Sequence, residues 1–283
     1  MAGRWGALPI RRLQSCRRIG FDLRYLSNMS QKRSKRTRRA LRSRPLHIVR
    51  IEQVDRVSRN ILALDFHGAP DSQASQAAIG WLRACLVQAN AICKLAAVGL
   101  DYGASPNRRS FFELAHRLFW LYTRPKDERS GAVDAMFDEE KRLGNQHLTK
   151  LAELGVDELP NLDDLNSVVS EATTDKKIRH EARNFFASVV ATPDSAGHYR
   201  AWTAETQYTH ATVTLAVTYA PYAAGTYGAG TPPVSDKEHE LIAISCLQVV
   251  ATAARILVED GAPVKLSNSI LSAYFDGINA EPR

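Results

Sequence analysis

The chain has 283 residues, of which 45% are hydrophobic and 24% are charged. This composition is typical of a globular protein and excludes a fibrous or wholly disordered chain, while the length allows one large domain or two small ones. The net charge of +7 is unevenly distributed: residues 1–44 hold 14 Lys/Arg and one acid (+13), and the other 23 basic and 29 acidic residues give −6. The sequence therefore predicts a basic N-terminal arm and a mildly acidic body without a large basic nucleic-acid face.

Residues 1–44 are predicted to form a disordered arm, and residues 45–283 a helical domain. The arm lacks an apolar run behind its charges, which argues against a secretory signal, but its Arg-rich composition is also typical of a transit peptide or of a solvated tail. Translation from Met29 is a further alternative and would leave residues 1–28 out of the protein. Residues 32–44 are the predicted nucleic-acid contact, through the basic side chains Lys32, Arg33, Lys35, Arg36, Arg38 and Arg39.

Apolar residues that recur every three or four positions predict the first three helices. Asp71 is the expected cap of the second helix, and Gly99 its end. Ser105 and Pro106 are the expected cap and first residue of the third helix. The predicted spans are 46–66, 72–98 and 107–122.

The same periodicity and capping signals predict six later helices, over residues 126–154, 163–174, 176–190, 195–207, 235–259 and 267–275. In residues 212–219, Val213, Leu215, Val217 and Tyr219 alternate with small or polar residues, which is the period of a strand. A lone strand cannot form a sheet, so an extended segment and a helix that overrides propensity both stay open there. The predicted fold class is an all-α bundle of about eight helices with at most one short extended segment near 212–219.

The run from Leu241 to Val258 is apolar enough to raise the question of a membrane span. Gln248 and Arg255 lie inside it and no second span is evident, so a buried core helix and no membrane partner are predicted. The four cysteines, Cys16, Cys85, Cys93 and Cys246, form no CxxC pair and show no zinc-site spacing. Cys85 and Cys93 lie among apolar neighbours in a helical pattern and are expected to be small core residues, and the cytoplasm is the expected compartment.

A block of the third helix, R-S-F-F-E-L-A-H-R-L-F-W-L from Arg109 to Leu121, carries a first resemblance. Together with the Ala-rich helix over 80–98, the charged stretch Phe137–Arg142, and Tyr199 followed by His210, it resembles an all-helical bacterial family catalogued as a domain of unknown function. The resemblance covers residues 79–210. It implies a helical fold and no particular activity.

Arg109 and His116 carry a second resemblance, to the HEPN ribonucleases, which place an Arg and a His four to six residues apart on one helix. That family implies that His116 acts as general acid and base while Arg109 holds a phosphate, across the cleft of a homodimer. Ser110 departs from the family's preference for Asn, Asp or His after the Arg. In the alternative interpretation, Glu113 pairs with Arg109 and with Arg117, and the stripe is a solvated or inter-helix row of ion pairs.

Two further groups of residues could bind a metal or a small ligand. Glu113 and His116 form an ExxH pair of the kind found in di-iron bundles, but the nearest second pair, Asp236 to His239, lacks the supporting carboxylates. We therefore predict no metal and no cofactor. A ligand pocket is the second hypothesis, with aromatic side chains as core residues the alternative; its candidate residues are His198, Tyr199, Trp202, Glu205 and His210.

The sequence contains no Walker loop, GxGxxG, GxSxG or HExxH motif, and it identifies no small-molecule substrate. The function it favours is that of a cytoplasmic interaction or accessory protein that contacts nucleic acid through its arm. A metal-independent ribonuclease that uses Arg109, Glu113 and His116, and a di-iron bundle, are the two alternatives.

Overall fold

The computed structural model describes residues 45–156, 160–161, 163, 173–234 and 236–280. These residues form an all-α protein with ten α-helices and one two-stranded hairpin. The predicted basic arm and nearly all of the predicted helix over 163–174 lie outside them. The helices are α1 Leu46–Leu62, α2 Gln73–Ala97, α3 Ser105–Thr123, α4 Arg129–Glu153, α5 Lys176–Arg183, α6 Phe185–Ala191, α7 Ala196–Thr209, α8 Val213–Tyr219, α9 Asp236–Asp260 and α10 Val264–Asn279, with strands β1 Tyr222–Ala223 and β2 Thr226–Tyr227 between α8 and α9.

Helix α9 is central to the bundle and packs against α1, α2, α3 and α10. Many of its apolar residues, among them Val250 and Leu257, are fully buried in one continuous core with Leu82 of α2 and Leu118 of α3. By length and composition, Glu238–Asp260 is the one helix of the described residues that could cross a membrane, yet 56% of its apolar window is buried inside the protein. The same apolarity is what a core helix with neighbours on several sides requires.

Helices α1 and α10 cross at Gly277, where the two backbones meet. A Cβ atom at this position would lie 2.7 Å from the backbone nitrogen of Val57, so a larger residue would force the helices apart. Arg56 and Gln53 of α1 donate hydrogen bonds of 2.9 and 3.2 Å to the carbonyls of Gly277 and Ile278. Polar side chains of α1 thus satisfy carbonyl groups at the end of α10 that have no partner within their own helix.

Three predicted helix boundaries are wrong. Ser72 caps α2 instead of Asp71, since its hydroxyl accepts from the Ser75 amide at 3.0 Å. Ser105 does not cap α3, because a 3-10 turn over Asp101–Ala104 leads directly into the helix and makes Ser105 its first residue. The single helix expected over 176–190 is broken at Asn184, which is extended and whose side chain accepts from the Ala187 amide at 3.0 Å. At Ser72 and Asn184 a side chain able to bond to nearby backbone decided the boundary.

The segment over 212–219, for which a strand and a helix were both open, is helical. Thr212 caps α8 by accepting from the Leu215 amide at 3.1 Å, and none of the residues in α8 is buried. The hairpin that follows turns through Ala224 and Gly225, whose φ angles are 51° and 81°. Both residues at positive φ correspond to the hairpin turn whose twist matches that of paired strands.

Candidate functional site

The polar stripe of α3 consists of Arg109, Glu113, His116 and Trp120, at spacings of four, three and four residues, and it faces other helices. Its neighbours are α2, α4, α6, α7 and α9, so the helix is enclosed on most of its circumference. Arg109 lies over the Trp202 ring at 5.0 Å and donates to the Thr206 hydroxyl at 3.2 Å. Glu113 accepts from the Trp202 indole at 2.9 Å and pairs with Arg109 at 3.7 Å. Two of the three predicted catalytic residues therefore hold α7 against α3.

His116, the third of them, lies in the core with no exposed surface. Since the Ser188 hydroxyl donates to the Phe185 carbonyl at 2.7 Å, His116 Nε2–H donates to Ser188 Oγ at 3.0 Å. Burial, reinforced by the charge of Arg117, lowers the pKa of His116 to about 3. The imidazole is therefore neutral near pH 7 and out of reach of an RNA backbone, an arrangement that does not favour the ribonuclease alternative.

Trp120, the last member of the stripe, is also fully buried. Its indole donates at 3.0 Å to Glu181 of α5, a carboxylate that also accepts from Arg124 at 2.8 Å. Glu181 is itself only 3% exposed, so this pairing replaces water around a buried charge. Of the two surroundings left open for this stripe, solvent or other helices, Trp120 and His116 therefore meet other helices, namely α5 and α6.

The five predicted pocket residues have separate surroundings, and none of them lines either of the two spaces of about 570 and 230 Å³ in the described part of the chain. His198 lies 5.0 Å from the Phe119 ring, and burial lowers its pKa to about 4. Tyr199 stacks on Trp202 at 5.8 Å. Glu205 pairs with Arg108, and His210 is exposed at the end of α7. This arrangement corresponds to the alternative in which the aromatic side chains of α7 are packing residues.

Arg108, which the sequence analysis did not select, is the most enclosed cation of α3, at 2% exposure. Its guanidinium donates to Glu205 at 2.8 Å, to the Asp101 carbonyl at 2.8 Å and to the Ser105 hydroxyl at 3.0 Å. Glu238 of α9 approaches it to 3.8 Å. A sequence signal existed: Arg108 shares the apolar face of Phe111 and Ala115, where a charge requires a buried partner.

An open groove of about 570 Å³ lies between α2, α3, α4 and α5 and is the candidate functional site. A smaller cavity of about 230 Å³ adjoins it along α2 and α4. Trp81, Met136 and Glu140 line both spaces, which places them at the junction. The larger space is also lined by apolar Leu114 and Leu143 and by the charged side chains Glu113, Arg117, Glu139 and Arg183.

The charges in this groove are not equally engaged. Glu139 is bound by Arg142 at 2.7 Å and approached by Arg183 at 3.6 Å, and the Arg142 hydrogen bond holds its pKa below the usual range. Glu140 forms no hydrogen bond within the described part of the chain, and partial burial raises its pKa against the opposing effect of Arg117. The groove thus contains one carboxylate already neutralised by cations and one still able to accept a donor.

Arg117 is the fixed cation of the groove. Its Nη1 donates to the Glu181 carbonyl at 3.2 Å, and its guanidinium carbon lies 5.5 Å from the Phe185 ring centroid. Burial lowers the pKa of Arg117, while Glu113 and Glu140 oppose that shift. Sequence reasoning named Arg117 only as a partner of Glu113, because the groove becomes visible only when α4 is placed beside α3.

Among the described residues, no three His, Cys, Asp or Glu side chains come together in a way that could hold a metal ion. Glu113 and His116 point to different partners, Trp202 and Ser188. The di-iron alternative therefore has no donor set in this part of the protein.

No protein-family model, curated protein or solved structure matches this chain. The resemblances to the bacterial helical family and to the HEPN ribonucleases therefore stay predictions, and the site must be interpreted from its own geometry.

Proposed function

We propose that this protein is a cytoplasmic interaction or accessory protein whose basic arm contacts nucleic acid. The separation of charge carries the proposal: +13 in residues 1–44 against −6 in the remainder. A dense basic segment binds phosphates electrostatically and with little regard to base sequence, whereas an acidic body is repelled by them.

The contacts that the three candidate catalytic side chains make with other helices support a binding role over an enzymatic one. His116 is buried against Ser188, and Arg109 and Glu113 are engaged by α7. These contacts stabilise helix packing and leave none of the three poised for proton transfer. The cytoplasmic location is supported by Cys85, Cys93 and Cys246, which are free and buried.

The test is binding of the full chain to fluorescein-labelled duplex DNA and single-stranded RNA, followed by anisotropy over a salt series. Replacing the arm's basic cluster with Gln should weaken binding strongly and reduce the slope of log K against log[salt] by about 5 for duplex DNA, if all six side chains contact phosphates. The replaced residues are Lys32, Arg33, Lys35, Arg36, Arg38 and Arg39.

A matched control removes the same charge from the body. It carries six Lys→Gln changes at exposed positions, namely Lys94, Lys126, Lys150, Lys176, Lys177 and Lys265. We expect this variant to retain the salt slope of the unmodified chain. Equal loss of affinity in both variants, or no binding by the unmodified chain at low salt, would contradict the proposal.

A further inference from the structure

The candidate groove and the smaller cavity that adjoins it, together called the α2–α4 groove, combine a charged space with a mainly apolar one. The smaller cavity is lined by Ala77, Val133 and Phe137 in addition to the shared Trp81 and Met136. Its volume of about 230 Å³ is large enough for an aliphatic or aromatic side chain. The larger space, at about 570 Å³, lies in the size range of small-molecule sites. Apolar lining with a few convergent polar groups is the usual composition of such sites.

Two charged side chains of the groove still have hydrogen-bonding groups available for a ligand, and their charges are of opposite sign. Arg117 uses Nη1 for the Glu181 carbonyl, and its other N–H groups have no hydrogen-bond partner within residues 45–156 and the other described segments. Glu140 stands at the junction of the two spaces and likewise accepts no hydrogen bond there. Both side chains line the larger space, so one ligand in the groove can meet a positive and a negative group.

The remaining charged side chains of the groove are already paired. Glu113 accepts from Trp202, and Glu139 is held by Arg142 and Arg183. A purely anionic ligand would meet these carboxylates, and a purely cationic one would meet Arg117. The best complement is a ligand that carries both charges close together beside an apolar group.

We propose that the α2–α4 groove binds a free amino acid with a large apolar side chain, in its zwitterionic form. The ligand's carboxylate accepts from Arg117, its ammonium group donates to Glu140, and its side chain enters the cavity beside Trp81, Met136 and Phe137. Arg117 is suited to this role because its contacts with Glu181 and Phe185 fix the guanidinium before the ligand arrives.

The test is isothermal titration of the full chain with L-leucine, L-methionine and L-phenylalanine near pH 7. We expect at least one of them to bind with a Kd on the order of 1 mM or below. N-acetyl-leucine lacks the ammonium group and leucinamide lacks the carboxylate, so each should bind roughly 10-fold or more weakly than leucine. Equal binding of leucine and its two derivatives, or no binding of any of the three amino acids, would overturn the proposal.

Glu140→Gln is the decisive variant because Glu140 lies partly exposed at the mouth of the groove and forms no hydrogen bond that the described fold needs. It should weaken amino-acid binding roughly 10- to 100-fold while leaving the circular-dichroism spectrum and urea midpoint unchanged. Glu153→Gln, at the exposed end of the same helix, is the matched control and should bind as the unmodified chain does. If Glu140→Gln binds as tightly as this control, Glu140 is not the ammonium site and the proposal fails.

Discussion

Helix α3 holds a neutral histidine and the arginine of an ion pair away from water, whereas α8 leaves two valines exposed to water. His116 has no exposed surface and Arg108 has 2%, whereas Val213 and Val217 are 79% and 57% exposed. The difference lies in the number of neighbours: five helices pack around α3, whereas α7 is the principal neighbour of α8. Burial in this protein therefore follows the position of an element in the bundle, and side-chain polarity must be accommodated by specific partners.

The largest expected effect comes from breaking the buried ion pair between Arg108 of α3 and Glu205 of α7. Arg108→Met keeps most of the side-chain volume but leaves Glu205 buried without its 2.8 Å partner. We expect the free energy of unfolding, measured by urea titration with circular dichroism, to fall by about 3–5 kcal/mol.

The adjacent Arg109 is the control for this prediction, because its side chain is 25% exposed and its ion pair is long. Arg109→Met should cost only about 1 kcal/mol, because it removes partly exposed contacts with Thr206, Trp202 and Glu113 and leaves no charge buried. The double variant Arg108→Met/Glu205→Met should recover much of the lost stability, since both buried charges are then absent. An equal cost for Arg108→Met and Arg109→Met would show that the assigned burial of Arg108 is wrong.

The next largest change in stability is expected at an aromatic side chain of α3, and the comparison is an aromatic side chain of the exposed hairpin that follows α8. Trp120→Phe removes a buried indole N–H that donates to Glu181 at 3.0 Å and leaves a small cavity. We expect a loss of about 2–3 kcal/mol in the same urea titration. Tyr222→Phe, on the exposed hairpin strand, is the comparison and should change stability by less than about 0.5 kcal/mol.

A pH dependence follows from the buried imidazole of α3. The ordinary pKa of His116 is 6.5 and burial lowers it to about 3 in the folded protein. The unfolded chain therefore takes up the proton first, and stability is lost as the pH falls from about 6.5 towards 3. At pH 5 this single group should cost about 2 kcal/mol relative to pH 7.

His198, whose pKa is lowered to about 4 by burial, contributes a loss in the same direction. His116→Gln should therefore reduce the loss of stability between pH 7 and pH 5, whatever its stability at pH 7. His147→Gln, at an exposed position of α4, should leave that difference as in the unmodified chain. If the free energy of unfolding falls by the same amount between pH 7 and pH 5 in His116→Gln and in the unmodified chain, His116 is not buried in its neutral form.

The smallest effect is expected in α8. Val217→Thr exchanges a methyl group for a hydroxyl at a position already 57% exposed, so unfolding should change by less than about 0.5 kcal/mol. The same exchange at the fully buried Val250 of α9 places a hydroxyl in the core and should cost about 1–2 kcal/mol. A substantial loss at Val217, measured by urea titration at low protein concentration, would mean that α8 is covered in solution.

The candidate site was only partly predictable from the sequence. Glu113 was selected and does line the groove, and Arg117 was named as its neighbour. Glu140 was visible only as part of a charged surface stretch, because its role depends on α4 lying beside α2 and α3. The aromatic side chains of α7, chosen as a pocket, instead pack against α6 and α3.

The amino-acid sequence by itself determined the all-α class, the approximate spans of most helices and the charge difference between arm and body. These properties depend on local periodicity, capping residues and composition, which a short window of sequence contains. Tertiary structure alone decided that Glu205 neutralises Arg108 from 97 positions away, that His116 meets Ser188 across 72, and that α8 stays exposed. The pairing of distant side chains depends on how helices pack in space, and helical periodicity carries no information about that arrangement.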